Sequence, residues 1–172
     1  VISVRNEFTI VTGTQALELM IEILNRYDVG RLGFNGEPYP YVIPMNHAYY
    51  EGKLLLHGSY KGRKIDLIKT NPLVCYEVDG PKDGLSPDDR SCHQEYESVL
   101  CYGRIREVDN VEDKRLFLSL VNQRFDKPAL KHGDLERCNA FVIDIHQMTG
   151  RTGRFRPTGE RPLYIFDFEQ EG

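Results

Sequence analysis

The chain has 172 residues, enough for one domain with a real core, and its ten tyrosines, eight phenylalanines and 40% apolar content exclude a disordered polymer. A formal net charge of −4 gives no broad basic surface, so no nucleic-acid partner is expected. No apolar run is long enough to span a bilayer and no leader is visible, and four widely spaced cysteines without C-x-x-C fit reduced thiols in the cytoplasm; neither a membrane partner nor a metal is expected, although Cys92-His93 is a possible ligand pair.

The first clear element is a helix in "TGTQALELMIEILNRYD". Thr12 and Gln15 have capping-box spacing, and Leu17, Met20, Ile21 and Leu24 recur at i, i+3, i+4 and i+7 as a core-facing stripe. Three short strands follow in "VGRLGF", "PYVIPMNHAYY" and "KLLLHGS", joined at the turn signals Asn35-Gly36 and Glu51-Gly52. The segment "GRKIDLIKTNP" predicts a short helix that starts near Ser59 or Tyr60, carries Ile65, Leu67 and Ile68, and stops at Asn71-Pro72. A fourth strand is expected in "PLVCYEVD", a fifth in "SVLCYGRIREV" and a sixth in "AFVIDIHQM", where Phe141, Ile143 and Ile145 alternate with Asp144 and His146. Between the last two lies a helix in "NVEDKRLFLSLVNQRF", with Leu116, Phe117, Leu120 and Val121 assigned to its buried face. Residues 1–172 read as a single α+β domain of about six mostly antiparallel strands with flanking helices, a small closed or split barrel.

Two stretches remain irregular. Gly80–Glu97 sets Lys82 and Arg90 against Asp83, Asp88, Asp89, Glu95 and Glu97, a local charge of −3, and a loop of that length is usually functional or mobile. Gly150–Arg161 carries Arg151, Arg154, Arg156 and Arg161 with Glu160 nearby, and is expected to be a solvated tail, with a reach to a neighbour's phosphate as the second reading. Tyr39, Tyr41, Tyr49 and Tyr50 are assigned to barrel or dimer packing. His93, His132 and His146 receive no role, and no Ser-His-Asp arrangement is present.

The corner "HGSYKGRK" concentrates chemistry. A helix N-terminus presents N–H groups and partial positive charge, and Arg63 and Lys64 in its first turn are mildly destabilising unless an anion sits there. Gly58 and Gly62 permit close backbone approach, and Ser59 adds a hydroxyl. A phosphate site competes here with a plain solvated turn. Neither a Walker loop nor a dinucleotide fingerprint occurs. His57 reads either as a strand-end histidine or as a ligand contact beside that corner.

The stretch from "VGRLGFNGEPYPYVIPMNHAYY" through "LHGSYKGRK" to "YESVLCYGRIREV" resembles the FMN-binding split-barrel proteins related to pyridoxamine 5′-phosphate oxidase, most closely their nitroimidazole-resistance (Nim-type) nitroreductase branch. The match covers about residues 5–149. The resemblance implies a homodimer with FMN at its interface. It places Pro44, Met45 and Asn46 along the flavin ring, His57, Gly58 and Ser59 along its side chain, Arg63 and Lys64 on its phosphate, and Ser98 as a further polar contact. Where that branch often has an aromatic residue after the asparagine, this chain has His47. The expected function is an FMN-dependent oxidoreductase that reduces a small acceptor such as a nitroimidazole, with His57 supplying a proton. The alternative is a non-catalytic split-barrel module binding flavin, haem or a deazaflavin.

Overall fold

The computed structural model describes residues 8–81, 96–131, 133–153 and 161–169. Eight strands and four helices follow in chain order: β1 (Phe8–Val11), α1 (Thr14–Arg26), β2 (Val29–Phe34), β3 (Tyr41–Tyr50), β4 (Lys53–Gly58), α2 (Arg63–Thr70), β5 (Leu73–Pro81), β6 (Tyr96–Glu107), α3 (Val111–Arg124), α4 (Asp134–Arg137), β7 (Asn139–Gly153) and β8 (Arg161–Asp167). The expected order of the six central strands holds. Strands β7, β4, β3, β2, β5 and β6 pair antiparallel in that order, and β6 returns to pair with β7, which closes a six-stranded barrel. The expected α+β split barrel is therefore the observed fold.

Strands β1 and β8 add to the expected six. They pair parallel with each other, and β8 continues the sheet from the far end of β7. The Gly150–Arg161 stretch is accordingly not all tail: β7 runs on to Gly153 and Arg161 opens β8. Both strands are short, and among the described residues β1 pairs only with β8, about 150 residues away, so alternation alone did not reveal them. Arg154, Arg156 and Glu160 lie outside the described residues.

Strand alternation sorts the core into two layers. The inner faces, including Leu32, Leu54, Leu56, Tyr76, Val99, Phe141 and Ile143, share one cluster with Met20, Ile23 and Leu24 of α1 and with Ile65 and Ile68 of α2. Leu55, Ala48, Ala140 and Val142 face outward and are covered by Leu118 and Val121 of α3. The buried face of α3 thus differs from expectation, because Leu116 is 47% exposed. Five of the six residues 116–121 are apolar, so spacing alone could not fix the helical phase. Its start is capped by Asn110, whose Oδ1 accepts from the Glu112 and Asp113 amides. The Thr12–Gln15 capping box does not form: α1 is preceded by Gly13, with no side-chain cap, which leaves Thr12 one residue too early.

The β3–β4 hairpin turns on Glu51 and Gly52, both at positive φ, as its sequence implied. The Asn35-Gly36 signal belongs to a longer connection, residues 35–40, that contains a cis Glu37–Pro38 bond. Strands β5 and β6 shorten the acidic segment between them, since β5 extends to Pro81 and β6 begins at Tyr96. Residues 82–95, with Cys92 and His93, lie outside the described residues, as does His132. No helix among the described residues is long and apolar enough to cross a membrane.

Candidate functional site

Strand β4 ends at Gly58 and α2 begins at Arg63, so residues 59–62 form the corner singled out in the sequence. The helix starts later than expected because Gly62, at φ 110°, is the residue preceding it. That conformation is strained for any side chain, and space around Gly62 is open. No side chain caps α2. Ser59 instead closes a local turn, its Oγ accepting from the Lys61 amide at 3.1 Å. Tyr60 anchors the loop from behind: its hydroxyl lies 2.9 Å from the Leu135 carbonyl, and Lys114 sits over its ring. Ser59, Lys61, Gly62 and Arg63 are left exposed.

The two cations of the corner lack carboxylate partners among the described ion pairs. Arg63 donates to the Glu37 carbonyl at 3.2 Å and lies over the Tyr41 ring. Lys64 donates to the Lys61 carbonyl at 3.2 Å, with its ammonium 5.8 Å from the Phe141 ring centroid. A Cβ at Gly58 would lie 3.4 Å from Lys64 Cε, 3.6 Å from Phe141 Cε2 and 3.7 Å from Met45 Cε. Strand end, strand β3 and helix start therefore converge at this point. An uncapped helix N-terminus with two cations that make no described ion pair, and with Asp66 as the one acid of its first turn, suits a phosphate, which would satisfy the amides and neutralise the charge.

The other sequence-derived site residues fall into separate places. Pro44 and Asn46 flank Met45 on β3 but point to the outer face, and both are exposed. The Asn46 side chain donates to the Asp28 carbonyl at 3.1 Å. Ser98 occupies the outer face of β6, opposite Asp79, and β2 and β5 stand between it and β3. His57 immediately precedes Gly58, so alternation turns it to the face of Leu55, opposite the side on which Gly58 meets Lys64. Its Nδ1 is buried without a hydrogen-bond partner, and burial lowers its pKa, which favours a neutral ring.

His47, Tyr76 and Gly30 form a buried group that sequence reasoning did not find. His47 is fully buried, its ring edge-on to Tyr76 with centroids 5.2 Å apart. Desolvation pushes its pKa down to about 4. Nothing in "PLVCYEVD" marks Tyr76 as different from any other inward strand tyrosine.

One strip of the outer sheet face is bare. Val29 of β2, Val42 of β3, Leu73 of β5 and Tyr102 of β6 are 44%, 57%, 50% and 39% exposed, and strand register places them on the same side. Arg31 lies among them, ion-paired with Glu77 and Asp79.

The family profile described as pyridoxamine 5′-phosphate oxidase matches residues 18–152, which takes in the closed barrel except for the last residue of β7. The chain belongs to that family. Among solved structures, a candidate 5-nitroimidazole antibiotic resistance protein from Bacteroides thetaiotaomicron is 26% identical, with a TM-score of 0.69 over 77% of this chain and 81% of that one. An FAD-binding protein from Mesorhizobium loti is 29% identical, with a TM-score of 0.61 over 80% and 92% of the two chains. A NimC/NimA family protein from Clostridium acetobutylicum, 20% identical with a TM-score of 0.55 over 88% and 92%, shares the fold. No curated protein sequence matches.

Proposed function

We propose that the chain is a flavin-dependent oxidoreductase that binds FMN at the Gly58–Lys64 corner and passes electrons to a small acceptor of the nitroimidazole type. The observation that carries this reading is the pairing of Arg63 and Lys64, without acidic partners, with an uncapped helix N-terminus in a member of this family. The likeness to the Bacteroides resistance protein supports the acceptor class.

The residues divide the work. Arg63 and Lys64 would hold the phosphate, with Ser59 and the α2 amides adding donors. Gly58 and Met45 would border the ligand, and Pro44 and Asn46 would meet the ring across the outer face of β3. When bound, the flavin would supply the electron transfer. His57 would hold the proton that accompanies those electrons.

Assembly is part of the proposal. The bare strip of Val29, Val42, Leu73 and Tyr102 suits a homodimer, because a second copy would bury these side chains together with the outer-face residues Pro44, Asn46 and Ser98. A cytoplasmic setting fits the unpaired cysteines Cys75, Cys101 and Cys138.

A second reading concerns the cofactor. The Mesorhizobium relative is an FAD-binding protein, and the corner here is open to solvent at Ser59, Lys61 and Gly62, so nothing described closes off an adenylate extending from the phosphate. Titrating the purified protein with FMN, FAD and riboflavin while recording visible spectra tests both readings. Tight FMN binding with turnover of a nitroaromatic acceptor is expected. Binding without turnover would leave a passive flavin module, a Soret band would indicate haem, and a spectrum unchanged by any flavin would overturn the proposal.

A further inference from the structure

Gly30 of β2 faces Met45 of β3 in the antiparallel ladder, and a side chain from a third strand bonds both backbones there. The hydroxyl of Tyr76, reaching from β5, stands between the two backbones. The Gly30 amide donates to it at 3.0 Å, and it lies 2.6 Å from the Met45 carbonyl oxygen. Only glycine fits at position 30, because a Cβ there would lie 2.3 Å from Tyr76 Cε1. The same hydroxyl is 3.0 Å from His47 Nδ1, and His47 Nε2 is 2.9 Å from the Leu24 carbonyl of α1. A carbonyl can only accept, so Nε2 carries the imidazole proton and Nδ1 is an acceptor. The single hydroxyl proton of Tyr76 is therefore shared between Met45 and His47, and the Tyr76 and His47 side chains are fully buried.

This arrangement requires a glycine, a buried tyrosine and a buried histidine. A uniform β2–β3 ladder would need none of them. What it controls is the backbone of Met45, whose side chain meets Gly58 beside Lys64.

We propose that Tyr76 and His47 are positioning residues for the flavin at this corner. They lock the Met45 carbonyl through the inserted hydroxyl and tie it to α1. The inference rests on the flavin-binding reading above.

The test compares wild type with Tyr76→Phe, which keeps the ring and removes only the hydroxyl. FMN and riboflavin affinities, the midpoint potential of the bound flavin and thermal unfolding are measured together. Tyr76→Phe should weaken both ligands by about tenfold, the scale of one lost buried hydrogen bond, while leaving their ratio unchanged. The bound flavin's potential should shift, a readout that a purely structural tyrosine would not move. Wild-type affinity and potential in a folded Tyr76→Phe variant would overturn the proposal. If that variant does not fold, His47→Gln, which retains a donor for Leu24, should show the same pattern at smaller size; if neither folds, the pair is structural and the proposal falls. Wild type that binds neither flavin would instead sink the flavin reading itself, and this inference with it.

Discussion

The carboxylate of Glu97, 1% exposed at the start of β6, is bound by the guanidinium of Arg26 at the last turn of α1. The pair pins the helix to the rim of the barrel. Tyr27 reinforces it: its ring fills the space a side chain at Gly80 would need, and its hydroxyl donates to the Pro81 carbonyl at 3.2 Å.

Removing Arg26 strands a buried charge. Breaking such a pair from one side usually costs ~3–5 kcal/mol, and because the Arg26 side chain is 42% exposed we expect about 2 kcal/mol for Arg26→Ala. Adding Glu97→Gln to that variant should recover part of the loss. Urea unfolding of the single and double variants checks this; a double variant less stable than Arg26→Ala alone contradicts it.

Lys64→Ala and Arg63→Ala are each expected to weaken FMN by roughly ten- to a hundredfold, following ~1.5–3 kcal/mol for a charge-assisted contact, and to weaken riboflavin much less. Isothermal titration with both ligands separates the cases. Equal losses would mean that the corner supports the fold, through the Arg63–Glu37 and Lys64–Lys61 contacts, and does not read a phosphate.

His57→Ala should retain FMN and lose ~10²–10⁴-fold in nitroaromatic turnover if the imidazole moves the proton. Its lowered pKa keeps the ring mostly neutral at neutral pH, so wild-type turnover should rise as pH falls toward 5.5 and the variant should not follow. Loss of FMN makes His57 a binding residue. An unchanged rate across pH 5.5–8 removes the catalytic assignment.

His47 sets an acid limit on stability. Its folded pKa of about 4 lies below the ordinary 6.5, through desolvation first, with Arg124 lowering it further and Asp28 and the Leu24 carbonyl opposing. Below pH 6.5 the unfolded chain takes up a proton that the native ring refuses, so stability falls as pH drops from about 6.5 to about 4 and levels off below, by ~3 kcal/mol in total from this group. Urea midpoints at pH 7.5, 5.5 and 4.5 should fall more steeply for wild type than for His47→Gln. Parallel slopes would show that His47 titrates normally in the folded protein.

A homodimer is expected by sedimentation at micromolar concentration. Val42→Glu, on the bare outer strip, should shift it toward monomer and weaken FMN in parallel. A wild-type monomer that binds FMN fully would remove the interface from the proposal.

Much of the fold was legible because it is local. The order of helices and the six barrel strands, the Glu51–Gly52 hairpin and the gathering of Gly58, Ser59, Arg63 and Lys64 at one corner all follow from alternation, turn residues and helix periodicity within short windows. What lay beyond the sequence depends on partners far apart along the chain. The closure of β6 on β7 decides that the sheet is a barrel. The pairing of β1 with β8 turns part of an apparent tail into sheet, and Arg26, 71 residues away, makes Glu97 a buried anchor in place of a loop acid. Tyr76 reads in sequence as one more inward strand aromatic; only tertiary packing brings its hydroxyl between Gly30 and Met45, because the register of β2 against both β3 and β5 sets that meeting, and no local pattern encodes the register of three strands at once.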